Sequence, residues 1–140
     1  MTVDVEDFFH VSAFESVIDP SQWQEYQPRV DANTRRLLDL FAKHNVKSTF
    51  FVLGWVAERY PELISEIHHQ GHEIASHGYA HRRATEQSRD EFFNDVKRSK
   101  DHLEDLLGER ITGYRAPSFS IGYDNEWAFE VLAELDFGYS

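Results

Sequence analysis

The strongest constraint on this chain is the alternation of short β-rich runs with longer amphipathic helical patterns from one end to the other. Residues 2–5 read as a first strand, Ser48-Thr49-Phe50-Phe51-Val52-Leu53 as a second, Glu73-Ile74-Ala75-Ser76 as a third and Ile111 to Arg115 as a fourth, with a fifth beginning at Phe137. Between them, Leu37, Leu38, Leu40 and Phe41 form an apolar stripe in a helix from about Asn33 to His44, and Val56, Tyr60, Leu63, Ile64 and Ile67 repeat that spacing. The best-marked helix opens on the capping box Ser88-Arg89-Asp90-Glu91 and runs through Phe92, Val96, Ser99, Leu103 and Leu106 to a stop at Gly108. A further helix is expected from Glu126 to Leu135. Strands joined by helices of this length require a parallel sheet with right-handed crossovers, either doubly wound or curling into a barrel. In both, the functional end is the carboxyl edge of the strands. No linker, repeat or low-complexity tract divides the 140 residues, so they are expected to belong to one domain.

Charge narrows the partners. The 25 acidic residues outnumber 14 basic ones, a formal net charge of -11, which disfavours nucleic acid and anionic membrane surfaces. No stretch approaches the roughly 20 apolar residues of a membrane span, and the first residues show no basic segment followed by an apolar run. As read, the chain is expected in the cytoplasm, with its oligomeric state open. With no cysteine present, any metal must be held by histidine and carboxylate.

Three polar clusters each follow an expected strand. His77-Gly78-Tyr79-Ala80-His81 places two imidazoles four positions apart, a spacing that on one helical turn aims both at a common point. His68 and His72 share the spacing, but His68 lies within an expected helix and His72 before a buried strand, where a packed, hydrogen-bonded histidine is the expectation. Asp4-Val5-Glu6-Asp7 ends the first strand with three carboxylates. Strand alternation puts Asp4 and Glu6 on one face and Asp7 on the other, unless the chain turns between them. Two imidazoles and one carboxylate are the ligand set of a catalytic zinc or similar divalent ion, and a second, unliganded carboxylate beside it can act as a base. Arg115-Ala116-Pro117-Ser118 ends the fourth strand with a fixed cation able to orient Asp4. Trp23, Tyr26, Trp55, Tyr79, Phe119 and Trp127 offer aromatic faces of the kind that stack on sugars, although most such aromatics serve the core.

Taken together and in order, these segments resemble the polysaccharide deacetylase family, carbohydrate esterase family 4. Thr2 to Asp7 is similar to its first motif, Ser48 to Gly54 to its second strand, Gly71 to His81 to its second motif and Arg115-Ala116-Pro117 to its third. The Asp-Val-Glu-Asp form followed by His10-Val11-Ser12-Ala13-Phe14 looks most like the branch associated with exopolysaccharide and exosortase loci. The resemblance implies the N-terminal portion of a distorted (β/α) barrel and removal of N-acetyl groups from amino sugars of a polysaccharide. It assigns Asp4 as general base, Arg115 as its orienting cation, His77 and His81 as ligands of one divalent metal ion, zinc by donor type, and a backbone N–H near Ser118 to the oxyanion. Ser118 and Phe119 are the expected substrate contacts.

The sequence departs from that family in two places. Its usual adjacent Asp-Asp pair reads Asp4-Val5 here, so the third ligand is Glu6 or Asp7, with spacing favouring Glu6. Its usual tyrosine after the arginine-proline turn is Ser118, which alters one wall of the groove. The family's remaining motifs, including the histidine that acts as general acid, belong after Ser140, and Leu135 to Ser140 look like a strand cut short. Residues 1–140 are therefore expected to form the N-terminal part of a single catalytic domain. The rival activities are another amide hydrolase of the allantoinase-like kind and a carbohydrate-binding segment without turnover.

Overall fold

The computed structural model describes all residues from Met1 to Ser140. Its centre is a parallel three-stranded sheet of β1 (Thr2–Val5), β2 (Thr49–Val52) and β3 (Glu73–Ser76), in the spatial order β1-β2-β3. The register aligns Val5 with Val52 and Val52 with Ser76, so the strand ends lie level at one edge. β2 is central and buried on both faces, which is why Phe50, Phe51 and Val52 form an uninterrupted apolar run instead of alternating with polar residues.

Helix α1 (Val30–Lys43) crosses from β1 to β2 and buries Val30, Thr34, Leu38 and Phe41. The stripe expected from Val56 to Ile67 forms two helices, α2 (Gly54–Arg59) and α3 (Pro61–His69). Pro61 divides them: a residue before proline is steered out of helical geometry, and Tyr60 has φ -129° and ψ 53°. Leu63, Ile64 and Ile67 are fully buried against the sheet, each contributing about 1.5–3 kcal/mol. After β3, α4 (Arg89–Leu107) begins and ends as its sequence signals require. Ser88 and Glu91 cap each other reciprocally, and Gly108 adopts the left-handed conformation that closes the helix. The last helix, α5 (Trp127–Glu134), packs on α4 in a second apolar cluster with Phe92, Val96 and Tyr114.

The fourth and fifth expected strands shrink to single parallel bridges, Ser76 with Tyr114 and Gly113 with Tyr139. Pairing still continues the sheet outward, through Ser76 N–H to Gly113 O (2.9 Å), Arg115 N–H to Ser76 O (2.9 Å) and Tyr114 N–H to Tyr139 O (3.1 Å). The ladder is short because Pro117 turns the chain two residues beyond Arg115. The result is an α/β fold whose curved parallel sheet corresponds to a portion of a (β/α) barrel. No helix is long and apolar enough to cross a membrane.

Candidate metal centre

The level carboxyl ends of β1, β3 and the Tyr114 bridge bring the three polar clusters to one cleft of about 270 Å³. Asp4, Glu6, His77, His81, Arg115, Ser118 and Phe119 all line it. A larger hollow of about 530 Å³ adjoins it on the sheet side and shares Arg115 and Phe119, but its other lining is mostly apolar, including Phe51, Ile121 and Phe129.

Within the cleft, one potential ligand atom from each of Glu6, His77 and His81 lies within 4.8 Å of the others. The Glu6 carboxylate oxygen Oε2 stands 3.0 Å from His81 Nε2 and 4.0 Å from His77 Nε2. Both imidazoles are buried. The two do not reach this geometry from a helical turn, as their spacing suggested. Residues 77–81 form a loop in which Gly78 has φ +75° and His81 φ +53°, and these left-handed residues fold the second imidazole back beside the first. For His81 that conformation costs about 1–2 kcal/mol, which the surrounding contacts must offset.

His77 is oriented from behind. Its Nδ1 lies 2.8 Å from the carbonyl oxygen of Arg115, and since a carbonyl only accepts, Nδ1 carries the proton and Nε2 presents its lone pair to the cleft. Burial lowers the pKa of both histidines. For His81 it falls to about 4, with His77 adding to the effect, so both rings are neutral and able to coordinate near neutral pH. Burial, then the neighbouring Asp4, pushes Glu6 up to about 7. A carboxylate so disfavoured in its charged form, with a buried oxygen lacking any hydrogen-bond donor, fits a site built to hold a cation. The donor set suits a divalent ion of the zinc type.

Asp7 is directed elsewhere. Its carboxylate accepts the N–H groups of Phe8 (2.9 Å), Arg29 (2.5 Å) and Val30 (2.9 Å), capping α1 from 22 residues upstream. Its own N–H donates to His10 Nδ1 at 2.8 Å. Of the two acidic candidates, Glu6 is thus the one that enters the cleft, while Asp7 anchors the turn that places it.

Asp4 lies beside this group and pairs with Arg115 through Nη1 to Oδ1 at 2.6 Å. Arg115 also donates from Nη2 to Thr2 Oγ1 at 2.9 Å and stacks 3.9 Å over the Phe51 ring. Beyond it, Ser118 and Phe119 both have positive φ, 54° and 51°. Their turn uses the N–H groups of Phe119 and Ser120 on the carbonyls of Ala116 and Pro117, while the Ser118 N–H enters no backbone pair. Across the cleft mouth, Ser118 Oγ meets Ser12 Oγ at 2.8 Å.

The other singled-out residues are structural. His72 is buried, accepts the Ser48 N–H at 3.2 Å and packs on Phe41 and Phe50, while His68 faces Glu109. Trp23 and Trp55 are buried and enclose His10 together with Phe9. Phe119, by contrast, is 78% exposed at the rim and free to meet a ligand. Sequence reasoning missed Ser12, Asp95 and the capping role of Asp7. For Asp95 a signal exists, since it falls three residues after Phe92 and next to Val96, on the buried side of α4.

The sequence profile of the polysaccharide deacetylase family matches residues 23–139. A peptidoglycan-N-acetylglucosamine deacetylase of Bacillus cereus is 37% identical over 86 residues, 61% of this chain and 29% of the relative. Among solved structures, a Mycobacterium smegmatis protein classed with the polysaccharide deacetylases superposes with a TM-score of 0.79 at 30% identity, covering 98% of this chain and 48% of that one. The peptidoglycan deacetylase PdaC of Bacillus subtilis gives 0.70 at 27% identity, covering 81% and 53%. The chain therefore spans about half or less of the length of these relatives, and it belongs to the polysaccharide deacetylase family.

Proposed function

We propose that this chain supplies the metal-binding and general-base half of a hydrolase that removes N-acetyl groups from the amino sugars of a polysaccharide, and that residues 1–140 are the N-terminal part of a single catalytic domain. The observation that carries the reading is the cluster of Glu6, His77 and His81 beside the Asp4–Arg115 pair. Glu6, His77 and His81 would hold one divalent ion, zinc by donor type. Bound there, the ion supplies the Lewis acidity that polarises an acetamide carbonyl and makes water a better nucleophile.

The remaining roles fall to the chain's own groups. Asp4, oriented by the Arg115 guanidinium, takes the proton of the attacking water. The unpaired Ser118 N–H is available to the oxyanion that forms as the carbonyl carbon becomes tetrahedral. Phe119 offers an exposed apolar face to a pyranose ring at the rim. A short serine at position 118, bonded to Ser12, shapes a cleft for an acetamido group while leaving the sugar at the mouth.

The resemblance to the exopolysaccharide-associated branch points to an exopolysaccharide as substrate, and the names of the relatives to peptidoglycan. Peptidoglycan and those exopolysaccharides that contain N-acetylated amino sugars present the same acetamido group. Acetate release is the test: the full-length polypeptide carrying this segment is incubated with N-acetylglucosamine oligomers, peptidoglycan and an N-acetylated exopolysaccharide, with and without a chelator. Chelator-sensitive release from any of them supports the proposal, and the preferred polymer identifies the substrate. Binding without release, or hydrolysis of cyclic amides only, contradicts it.

A further inference from the structure

The loop that carries both imidazoles keeps one bond of the sheet, His77 N–H to Val52 O at 2.9 Å, so its remaining peptide groups must be satisfied from elsewhere. Its carbonyls are met by the start of α2. Gly54 N–H donates to Gly78 O at 2.9 Å, and Trp55 N–H to Tyr79 O at 3.0 Å. The Gly78 N–H donates to Ser76 Oγ at 3.2 Å, and the next two donors are met from the opposite side by one carboxylate on α4. Asp95 Oδ2 accepts the Tyr79 N–H at 2.9 Å, and the Ala80 N–H is also directed at this carboxylate.

Two glycines make the arrangement possible. A Cβ on Gly78 would lie 2.9 Å from Asp95 Oδ2, and one on Gly54 only 2.6 Å from the Tyr79 ring. Gly78 also needs its φ of +75° to turn the chain between the ligands. The Tyr79 side chain is fixed in turn, its hydroxyl donating to Glu58 at 2.7 Å with Arg98 stacked 3.4 Å over its ring.

From this we infer that Asp95 is a positioning residue for the metal centre: by holding the peptides of Tyr79 and Ala80 it fixes the distance between His77 and His81 and their aim at Glu6. It does not line the cleft. Its effect passes through the loop backbone, in the way that groups behind the ligands of other metal sites set affinity. The inference rests on the reading of His77 and His81 as ligands.

The experiment compares Asp95→Ala, Asp95→Asn and Val96→Ala with the unmodified chain. Val96 is the adjacent, fully buried residue of α4, and its truncation serves as a stability control that leaves the loop bonds in place. Zinc affinity is measured by competition with a chromophoric chelator, and hydrogen exchange of the Tyr79 and Ala80 amides is followed by NMR without metal. Asp95→Ala is expected to weaken zinc binding by roughly 10–100-fold and to accelerate exchange at both amides. Asp95→Asn, which keeps one acceptor oxygen, falls between. Val96→Ala lowers Tm while leaving zinc affinity and both amides as they were. If Asp95→Ala binds zinc within twofold of the unmodified chain, or its two amides exchange no faster, the inference is overturned. An unmodified chain that takes up no zinc overturns the metal reading itself, and the amide exchange then decides the clamp alone.

Discussion

The backbone carbonyl of Arg115 lies 2.8 Å from Nδ1 of His77, while the side chain of the same arginine reaches Asp4 at 2.6 Å. One residue thus sets the protonated nitrogen of a candidate ligand through its main chain and orients the candidate base through its side chain. The two functions can be separated by mutation, because only the second depends on the guanidinium.

Arg115→Ala is accordingly expected to leave zinc affinity nearly unchanged and to lower kcat of the full-length enzyme about 100-fold, the scale of loss when a catalytic group is misplaced by an ångström. Arg115→Lys should recover little, since a single ammonium cannot reach Asp4 and Thr2 in the forked geometry seen here. Isothermal calorimetry with zinc and steady-state kinetics on the same preparations check both statements.

Loss of a ligand has the opposite signature. His77→Ala, His81→Ala and Glu6→Ala should each weaken zinc binding beyond the roughly 10–100-fold typical of changes behind the ligands, whereas Asp7→Asn should act mainly on stability through the cap on α1. Metal analysis after dialysis, set beside thermal melts, distinguishes the two classes.

Zinc binding should also release a proton over a defined range. Glu6 is raised to about 7 in the metal-free protein, and a carboxylate must be deprotonated to coordinate. Below pH 7, binding therefore releases about one proton and the apparent affinity falls about tenfold per pH unit. Above pH 8 Glu6 contributes no further proton, and the release that remains belongs to water on the ion. Calorimetry in buffers of different ionisation enthalpy measures the proton count, and Glu6→Gln should abolish the carboxyl's share of the release together with most of the affinity.

Acid stability has a separate source in His10. Enclosed by Phe9, Trp23 and Trp55, it is lowered from 6.5 to about 3, chiefly by burial. A histidine depressed in the folded state binds its proton more readily when unfolded, so its contribution is complete above pH 6.5 and is lost as pH falls toward 3. The slope it adds is about 1.4 kcal/mol per pH unit. Urea unfolding across that range should show a shallower fall for His10→Phe than for the unmodified chain.

Much of this architecture is readable from residue patterns. The alternation of strands and helices, the capping box at Ser88 and the burial of β2 each follow from local chemistry, and the period-two spacing that groups Glu6 with Asp4 holds although β1 itself ends at Val5. What local chemistry does not carry is partnership across the fold. The apolar stripe from Val56 to Ile67 hides the break at Tyr60–Pro61, and the cap of α1 by Asp7 joins residues 22 and 23 apart. The spacing of His77 and His81 suggests a helical turn, while the actual convergence depends on left-handed backbone at Gly78 and His81 and on acceptors and donors supplied by α2 and α4. Asp95 is visible in the sequence only as a carboxylate on an apolar stripe, because its partners are peptide N–H groups with no side-chain signature.

X-ray absorption at the zinc edge, on the chain loaded with one equivalent of zinc, reads the ligand set itself. Two imidazole nitrogens and one carboxylate oxygen at about 2.0–2.2 Å are expected, with one imidazole lost from the zinc in His77→Ala and again in His81→Ala. A zinc environment unchanged by either substitution, or no bound zinc at all, would contradict that ligand set.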